Sequence, residues 1–555
     1  MLILFIIIAP YIFKIILIGD AFYIDDEYSY VNIAINDAQV IGACYVFYKA
    51  AEFSNKHLFY ILRSFALFLY IFYLLDIGLI IFFSTRLYVS DVLNMYDDIF
   101  LFLNGFGLTE FIITIFIILC TILFIKKTHV EKTKSLYKTF LLIVLMSTFS
   151  VGFLYEPNTS VRSVFFRNYV DINFNSTYSK TYTDQFVSTF TYSPESNCSQ
   201  IESRPPDSIY IFLVESWSNY HSELFGNQNN WTPYLDDLAK NNISLNNFYA
   251  NGFTTEAGLY SLLTGRLPIL YGQIMKLDGA IGLMNFPKTN TLPYEMAKLG
   301  YHPYFITSGD LNFLDKGEWL KKIGFSSIIG AADYSDSSQR YLFNSVSDGE
   351  LFDKVEHVIQ SDSRPKFIVI ENVSTHAPFY SPGINGEPIQ SEKKAFLYTD
   401  KLLSDLIFNV KTENSLIIVM SDHRAMTTIT ELEKEVSGGM SVSRVPGFIM
   451  WNQKKWQLDK KIQQTDLMSS IVGLIQGRQC AGDVKGALFP IEQAISPKCI
   501  FHARGDSREL ITVKCEENHQ EFNIVLDGDK TRSQMETTES KLAVDIVNYT
   551  RIQQH

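Results

Sequence analysis

The amino-acid sequence predicts an α/β domain with a mostly parallel central sheet, preceded by an α-helical transmembrane domain. Long apolar runs fill the chain up to about residue 155, whereas the rest has the turn residues and charges of a globular protein. In that rest, short β-branched runs alternate with helical patterns, as in parallel sheets covered by helices. We predict a transmembrane domain over residues 1–155, a connecting arm over 156–206, the α/β domain over 207–524, and a polar surface helix or tail over 525–555.

About five membrane-crossing helices are predicted in the first domain. A bilayer core of about 30 Å needs about 20 helical residues. The apolar runs near that length are residues 3–18, 64–84, 100–125 and 139–155, with a weaker one at 31–48. Five lysines lie between residues 126 and 138, so that loop is expected in the cytoplasm. The α/β domain then faces the periplasm or cell exterior, and the protein is expected in the inner (cytoplasmic) membrane.

Three acidic residues, Asp37, Asp76 and Glu110, lie near or within these predicted membrane runs. Ionisable residues inside a membrane are costly and often functional, so they could mark a path for lipid headgroups. The interpretation we favour is that they make polar contacts between helices or lie at the membrane interface.

Charge and cysteine content limit the possible partners and the compartment. The net charge of −12 argues against a nucleic-acid partner, because phosphate backbones bind basic surfaces. Four of the six cysteines lie in the globular part and could form two disulfides in an oxidising compartment, but their pairing cannot be read from sequence. These four are Cys198, Cys480, Cys499 and Cys515.

Residues that could bind a metal follow three of the predicted strands. The strands are predicted at residues 208–214, 303–306, 366–370, 415–420 and 447–451, with helices at 233–240, 255–264, 292–299, 316–323 and 394–409. Glu215 follows the first strand, and His376 lies shortly after the third. Asp422 and His423 follow the fourth. Because ligands bind at the carboxyl ends of such strands, we expect these side chains at one edge of the sheet. Taken singly, the glutamate could cap a helix and a histidine could be a loop residue, but together they predict a site for Mn²⁺ or Zn²⁺.

Two threonines, Thr254 and Thr255, lie where the predicted helix 255–264 begins, in the segment NGFTTEAGL. A helix N-terminus presents free amide N–H groups and partial positive charge, which favour phosphate. A hydroxyl there can attack phosphorus if a cation lowers its pKa. The simpler alternative is that either threonine only caps the helix. In combination with the predicted metal site, we favour a nucleophile.

Five segments occur in this order along the chain: VES, WTPYLDDLAK, NFYANGFTTEAGLYSLLTG, STHAPF and SDHRA. Together they resemble the sulfatase-like branch of the alkaline phosphatase superfamily. More narrowly, the sequence resembles lipoteichoic acid synthases, phosphoglycerol transferases of periplasmic glucans and lipid A phosphoethanolamine transferases. The resemblance extends from about residue 209 to residue 489 and includes the multi-helix anchor. It implies an alkaline-phosphatase-like (sulfatase-like) extracytoplasmic domain.

The resemblance also implies functional residues. Thr255 matches the catalytic threonine, because Gly258 gives the T-x-x-G spacing of the family. Lys316 falls where lipoteichoic acid synthases have a headgroup-binding arginine. Because a lysine ammonium is a point charge and lacks the two parallel donors of a guanidinium, the identity of the headgroup stays undetermined. The implied metal ligands are Glu215, Thr255, Asp422 and His423; the implied catalytic residues are Thr255 and His376; the implied substrate-binding residues are His376, Lys316 and Asp310.

The implied activity is that of a metal-dependent phosphotransferase with one divalent ion, Mn²⁺ or Zn²⁺, with Mg²⁺ possible. It would move a phosphoglycerol-type headgroup from a phospholipid donor to a cell-envelope glycan or lipid through a phosphothreonine. Phosphoethanolamine transfer to lipopolysaccharide or glycan is one alternative, and a sulfatase or phosphodiesterase hydrolase is another. Sulfatases need C/S-x-P-x-R, and this chain has Ala257 and Leu259 where the proline and arginine would stand. Sulfate-ester hydrolysis is therefore disfavoured.

Overall fold

The computed structural model divides the chain into two compact units, residues 1–93 with 106–177 and residues 94–105 with 178–555. The structure describes residues 8–14, 27–83, 86–89, 168–174, 182–202, 204–269, 290–383, 385–411, 413–427, 429–504, 510–516, 521–526, 528–533 and 535–553. The predicted membrane runs at 100–125 and 139–155 lie outside these residues, as does most of the run at 3–18.

The first unit is mainly helical in its described part. Residues 8–14 are helical, and they are followed by α1 (Glu27–Ala50), α2 (Lys56–Phe83) and α3 (Tyr169–Phe174). Within the described residues, one helix is long and apolar enough to cross a membrane, with its window at Lys56–Ile80 inside α2. This window includes most of the predicted run at 64–84, and α1 contains the weaker run at 31–48.

Asp37 and Asp76 are buried in this helical unit and form ion pairs there. Lys14 Nζ lies 2.7 Å from Asp37 Oδ2, and the Tyr73 hydroxyl donates to the same oxygen at 3.0 Å. Arg86 Nη2 lies 2.8 Å from Asp76 Oδ2. The contacts of Asp37 join separate helical segments, which agrees with the favoured interpretation of polar contacts between helices, whereas Arg86 lies in the segment that follows α2. Glu110 lies outside the described residues.

The second unit is built on an eight-stranded sheet in the order β11-β3-β10-β9-β2-β6-β4-β5. β10 pairs antiparallel with both β9 and β3, whereas the other pairings in this sheet are parallel. Seven strands therefore run in one direction, and the sheet is mostly parallel, as predicted. The strands of the unit are β1 (Ser196–Gln200), β2 (Ser208–Val214), β3 (Ile243–Tyr249), β4 (His302–Thr307), β5 (Ser327–Ile329), β6 (Lys366–Glu371), β7 (Tyr380–Pro382), β8 (Pro388–Gln390), β9 (Ser415–Ser421), β10 (Gly447–Met450), β11 (Trp456–Gln463), β12 (Arg478–Gly482), β13 (Cys499–Ala503), β14 (Leu510–Cys515), β15 (Glu521–Val525) and β16 (Arg532–Ser533).

Helices cover both faces of this sheet. The helices of the second unit are α4 (Asp184–Thr189), α5 (Glu223–Gly226), α6 (Pro233–Asn241), α7 (Thr255–Thr264), α8 (Leu292–Lys298), α9 (Lys316–Lys322), α10 (Asp348–Ser361), α11 (Glu392–Val410), α12 (Glu431–Ser437), α13 (Gln464–Gln476) and α14 (Thr538–Ile552). Short 3-10 turns occur at Ala51–Phe53, Asn219–His221, Phe313–Asp315, Ala331–Asp333, Leu342–Asn344, Gly438–Val442, Ile491–Gln493 and Gly528–Lys530. The five predicted strands and five predicted helices of the α/β domain are all present.

The core consists of two apolar layers, one on each face of the sheet. Along β2, Ile209 and Ile211 belong to one layer, whereas Tyr210 and Phe212 belong to the other. Successive side chains of a strand point to opposite faces, so a strand buried on both sides needs a continuous apolar run. The first layer includes side chains of α7 and α13, and the second includes side chains of α6, α10 and α11.

A smaller antiparallel sheet, β13-β14-β15-β16, follows the main sheet, and α14 packs against it through buried Ala543, Ile546 and Val547. The surface helix or tail predicted over 525–555 therefore contains a helix with one buried face. Disulfides join Cys499 to Cys515 across β13 and β14, and Cys198 to Cys480 across β1 and β12. β1 belongs to the predicted connecting arm but lies within the second unit, where the disulfide Cys198–Cys480 bonds it to β12.

Candidate active site

The ends of β2 and β9 bring three potential metal ligands together. These strands are parallel neighbours, with Val214 opposite Ser421, so the residues that follow them leave the sheet at the same edge. Glu215, Asp422 and His423 each offer a ligand atom, these atoms lie within 4.8 Å of one another, and all three residues are buried. The structure thus places the side chains together as the sequence predicted.

Ser216 connects the two carboxylates of this cluster. Its backbone N–H donates to Asp422 Oδ1 at 2.9 Å, and its hydroxyl donates to Glu215 Oε1 at 2.7 Å. These contacts require a left-handed backbone (φ 58°), which is uncommon for a residue with a side chain and costs about 1–3 kcal/mol. Such strain is typical of functional sites, and its only sequence signal was the position of Ser216 in the VES segment.

Thr254 and Thr255 make different contacts at the start of α7. The Thr254 hydroxyl accepts from the backbone N–H of Ala257 at 3.3 Å, so Thr254 is the helix cap. The Thr255 hydroxyl lies 3.0 Å from Glu215 Oε2 and 3.4 Å from His423 Nε2. Thr255 is therefore the threonine whose hydroxyl reaches the carboxylate cluster.

Gly258 allows α7 to approach the loop that carries Asp422. A Cβ atom at this position would lie 2.4 Å from the backbone oxygen of Asp422, closer than real contacts allow. Gln464, the first residue of α13, donates from Nε2 to the same backbone oxygen at 2.6 Å. Only glycine fits at position 258 without a clash, which explains the T-x-x-G spacing. Gln464 is a further site residue, and it was not predicted from the sequence.

The electrostatics of the cluster favour a bound cation. Burial and the nearby Glu215 carboxylate raise the pKa of Asp422 well above its usual value, whereas His423 and His376 hold the pKa of Glu215 low despite its burial. Burial opposes charge on His423, yet the two carboxylates raise its pKa to about 10. Among the described residues no hydrogen-bond donor reaches the buried Oδ2 of Asp422. Such an oxygen, beside a second carboxylate and an imidazole, fits a divalent ion with mixed oxygen and nitrogen ligands.

The orientation of His423 suits this interpretation. Its Nδ1 lies 2.8 Å from the backbone oxygen of Arg424, to which it donates a hydrogen bond. Its Nε2 consequently faces the cluster, 3.2 Å from Glu215 Oε1. A histidine ligand held by a hydrogen bond at its other nitrogen is the usual arrangement in metal sites.

His376 lies in the loop after β6, near the same edge. Its Nδ1 lies 2.5 Å from the backbone oxygen of Ala377, which leaves Nε2 as the nitrogen available to a substrate. The Phe343 ring meets the imidazole edge to face at 5.0 Å, and Phe343 itself has a left-handed backbone (φ 53°). His376 is close enough to Glu215 to lower the pKa of that carboxyl.

The predicted substrate-binding residues have contacts of different kinds. Lys316 Nζ lies 2.6 Å and 2.8 Å from the two carboxylate oxygens of Glu371, the last residue of β6, which the sequence analysis did not select. Although burial opposes its charge, Glu371 and Glu256 raise the pKa of Lys316. The side chain of Asp310 accepts from the N–H of Asn312 at 2.8 Å, a local turn contact. Lys316 is thus ion-paired beside the cluster, whereas the described side-chain contact of Asp310 stays within its own loop.

A mostly parallel sheet with carboxylates and a histidine at its strand ends, and a threonine at the start of the adjoining helix, defines an alkaline-phosphatase-like α/β domain. Residues 206–477 match the family model described as Sulfatase. This match confirms, over that segment, the resemblance to the sulfatase-like branch of the alkaline phosphatase superfamily that the motifs indicated.

Several solved structures are similar to this chain. One is a protein in the alkaline phosphatase superfamily from Vibrio parahaemolyticus, with 17% identity over 66% of this chain and 91% of that chain and a TM-score of 0.49. Another is the lipoteichoic acid synthase LtaP from Listeria monocytogenes, with 16% identity over 63% of this chain and 94% of that chain and a TM-score of 0.48. A third is the phosphoglycerol transferase GacH from Streptococcus pyogenes, with 13% identity over 49% of this chain and 75% of that chain and a TM-score of 0.38.

Proposed function

We propose that this protein is a membrane-bound transferase that moves a phosphoglycerol-type headgroup from a phospholipid to a cell-envelope glycan or lipid. The observation that carries the proposal is the position of the Thr255 hydroxyl at the start of α7, 3.0 Å from Glu215 and 3.4 Å from His423. A capping residue has no need of such neighbours, whereas a nucleophile needs groups that accept its proton and stabilise its charge.

One divalent ion would be held by Glu215, Asp422, His423 and the Thr255 hydroxyl. The imidazole favours Mn²⁺ or Zn²⁺ over Mg²⁺, which prefers oxygen ligands. When bound, the ion would supply positive charge that stabilises a developing oxyanion.

The side chains of the chain itself would carry out two successive transfers. The Thr255 oxygen attacks the phosphorus of the donor, its proton leaves in the direction of Glu215, and the bond to diacylglycerol breaks. His376 would protonate the departing oxygen through Nε2. An acceptor hydroxyl then gives its proton to His376 and attacks the phosphothreonine, the bond from phosphorus to the Thr255 oxygen breaks, and that oxygen takes its proton back from Glu215. The amide N–H groups at the start of α7 would bind the phosphate oxygens in both steps.

Separate observations support the proposed membrane location and the proposed compartment. The apolar helix α2 and the further apolar runs of the first 155 residues support a multi-pass anchor in the inner membrane. The disulfides Cys198–Cys480 and Cys499–Cys515 support an oxidising, extracytoplasmic compartment for the second unit. Lys316 and Asp310 remain the proposed headgroup contacts, with phosphoglycerol as the first candidate and phosphoethanolamine as the alternative.

The experiment that tests the proposal traps the enzyme during turnover of labelled phosphatidylglycerol or phosphatidylethanolamine. Mass spectrometry should find the headgroup phosphate on Thr255, and the label that transfers identifies the donor. Thr255→Ala should lose at least 10³-fold in rate, because nucleophile removal leaves only binding and charge stabilisation. Thr254→Ala is the matched control, since it removes a hydroxyl from the same turn but loses only the cap. An unmodified Thr255 under turnover would reject the covalent step.

The description of the family model, Sulfatase, favours hydrolysis of a sulfate ester as a second candidate. Hydrolysis of a phosphodiester is the related alternative. Against sulfate hydrolysis, position 255 is a threonine rather than the cysteine or serine that becomes formylglycine, and Leu259 is packed in the core where an arginine would be needed. Release of free headgroup at the full rate without any acceptor would support a phosphodiesterase. Turnover of an aryl sulfate would support a sulfatase.

A further inference from the structure

Asn372 and Asp348 form a buried hydrogen-bonded pair behind the candidate active site. Asn372 directly follows β6, and Asp348 is the first residue of α10. Both side chains are buried, at 2% and 0% relative exposure. Neither residue belongs to the proposed metal ligands or to the proposed catalytic residues.

Asn372 contacts the residues on both sides of the site. Its Oδ1 accepts from the backbone N–H of Glu215 at 2.9 Å, just where the chain leaves β2. Its Nδ2 donates to Asp348 Oδ2 at 2.9 Å and to Thr375 Oγ1 at 3.0 Å. One carboxamide thus joins the backbone of Glu215 to the residue that precedes His376.

Asp348 holds the same loop at two points. Its carboxylate accepts from Asn372 Nδ2 and from the Ser374 hydroxyl, the latter at 2.8 Å. It also accepts from the Thr399 hydroxyl of α11 at 2.5 Å. These three groups, which donate to Asp348, carry no charge. The N-terminus of α10 adds a partial positive charge, which stabilises the carboxylate. The tight turn that follows, in which the His376 N–H donates to the Val373 oxygen at 2.9 Å, is therefore anchored at its beginning.

We infer that Asn372 and Asp348 are positioning residues that hold Glu215 and His376 in one fixed relative arrangement. The inference rests on the proposed function, in which Glu215 binds the cation and His376 acts on the transferred group. Partners that orient metal ligands in this way affect metal affinity or activity by about 10–100-fold when they are changed.

The direction of the hydrogen bonds explains why residue 372 is an amide. Its oxygen must accept from an N–H, and its nitrogen must donate to a carboxylate, which only asparagine does at this length. Aspartate at position 372 would keep the first contact but would face the Asp348 carboxylate without a proton between them. Exchanging the two residues restores one donor and one acceptor, so the exchange is a specific test of the pair.

The test measures Mn²⁺ affinity by calorimetry and the melting temperature in EDTA for the full-length protein in detergent. The variants are Asn372→Asp, Asp348→Asn and the double exchange, with Glu215→Gln alongside. Thr399→Val is the matched control, because it removes a hydrogen bond of the same Asp348 carboxylate that comes from α11 and not from the loop that carries His376.

We expect Asn372→Asp to weaken Mn²⁺ binding at least 10-fold and the double exchange to recover most of that loss. Asp348→Asn should weaken binding in the same direction, and this variant carries the test if Asn372→Asp does not fold. Thr399→Val should lower the melting temperature in EDTA and keep the Mn²⁺ affinity within twofold.

Three results would overturn the inference. If Glu215→Gln loses Mn²⁺ while Asn372→Asp and Asp348→Asn bind it as the wild type does, the positioning role fails and the metal site stands. If the double exchange recovers no affinity and Thr399→Val loses as much as Asn372→Asp, the pair only stabilises the fold. If Glu215→Gln binds Mn²⁺ with wild-type affinity, the proposed metal site fails, and the positioning role fails with it.

Discussion

Gly258→Ala tests whether the close approach of α7 to the Asp422 loop places the Thr255 hydroxyl. The new methyl group would lie 2.4 Å from the Asp422 backbone oxygen, so one of the two segments must retreat by about 1 Å to reach ordinary contact at 3.4 Å. Overpacking costs about 1–3 kcal/mol, partly offset by about 0.5–1 kcal/mol gained when glycine leaves a helix interior. A misplacement of about 1 Å at a reacting group can cost about 100-fold in rate.

Gly473→Ala is the matched control for this variant. Gly473 lies inside α13, and its added methyl group would lie 2.5 Å from the backbone oxygen of Arg478. The clash is similar in size, but the two residues involved are not site residues. Both variants should lose similar stability in thermal unfolding. Only Gly258→Ala should lose metal affinity and about 100-fold in turnover of labelled phosphatidylglycerol. Turnover within twofold of wild type in Gly258→Ala would refute the reasoning, and so would an equal loss in Gly473→Ala.

Three further predictions concern charge. Chelation should lower the melting temperature of the wild type in differential scanning fluorimetry. Adding the metal at 100 times its Kd should raise the free energy of unfolding by about 2.7 kcal/mol, and Asp422→Asn should abolish this response. Glu371→Gln should lower the free energy of unfolding by about 3–5 kcal/mol in a urea titration, because it leaves the Lys316 ammonium without its carboxylate partner. Adding Lys316→Met to this variant should recover most of that loss. Equal stability of the wild type and both variants would contradict this prediction. Burial lowers the pKa of His221, and its Nδ1 accepts a hydrogen bond from the Ser218 N–H at 3.0 Å. As the pH falls below 6.5, this histidine is therefore protonated in the unfolded chain before it is protonated in the folded protein, and the free energy of unfolding decreases. His221→Gln should flatten melting temperature against pH between about pH 5 and 7, and an unchanged slope would exclude this histidine.

The sequence was informative about the sheet wherever a strand is buried on both faces. β2, β6 and β9 are continuous apolar runs because helices cover both sides, and their predicted bounds agree with the structure to within one residue. β3 and β11 were missed for a physical reason. β3 contains two consecutive asparagines, and β11 is an edge strand whose charged, exposed residues resemble a loop.

The candidate site was predictable as far as its residues adjoin regular elements. Glu215 and Asp422 directly follow strands, and Thr255 begins a helix, so each had a local signal. Asn372 and Gln464 were missed because a hydrogen bond between residues far apart in sequence leaves no local pattern. The two disulfides were undetermined for a related reason, since four cysteines allow three pairings and only the strand register selects one.

The ion pair of Lys316 with Glu371 changes how an anionic donor would be attracted to this site. Both carboxylate oxygens of Glu371 contact the ammonium, so its charge is already compensated within the protein. Glu215, whose pKa is held low, adds negative charge, which repels a phosphodiester. Attraction must then come from a bound cation and from the N-terminus of α7, the two features that Thr255 adjoins. In the proposed transferase, the groups that draw the phosphate in are therefore the same groups that lie beside the nucleophile.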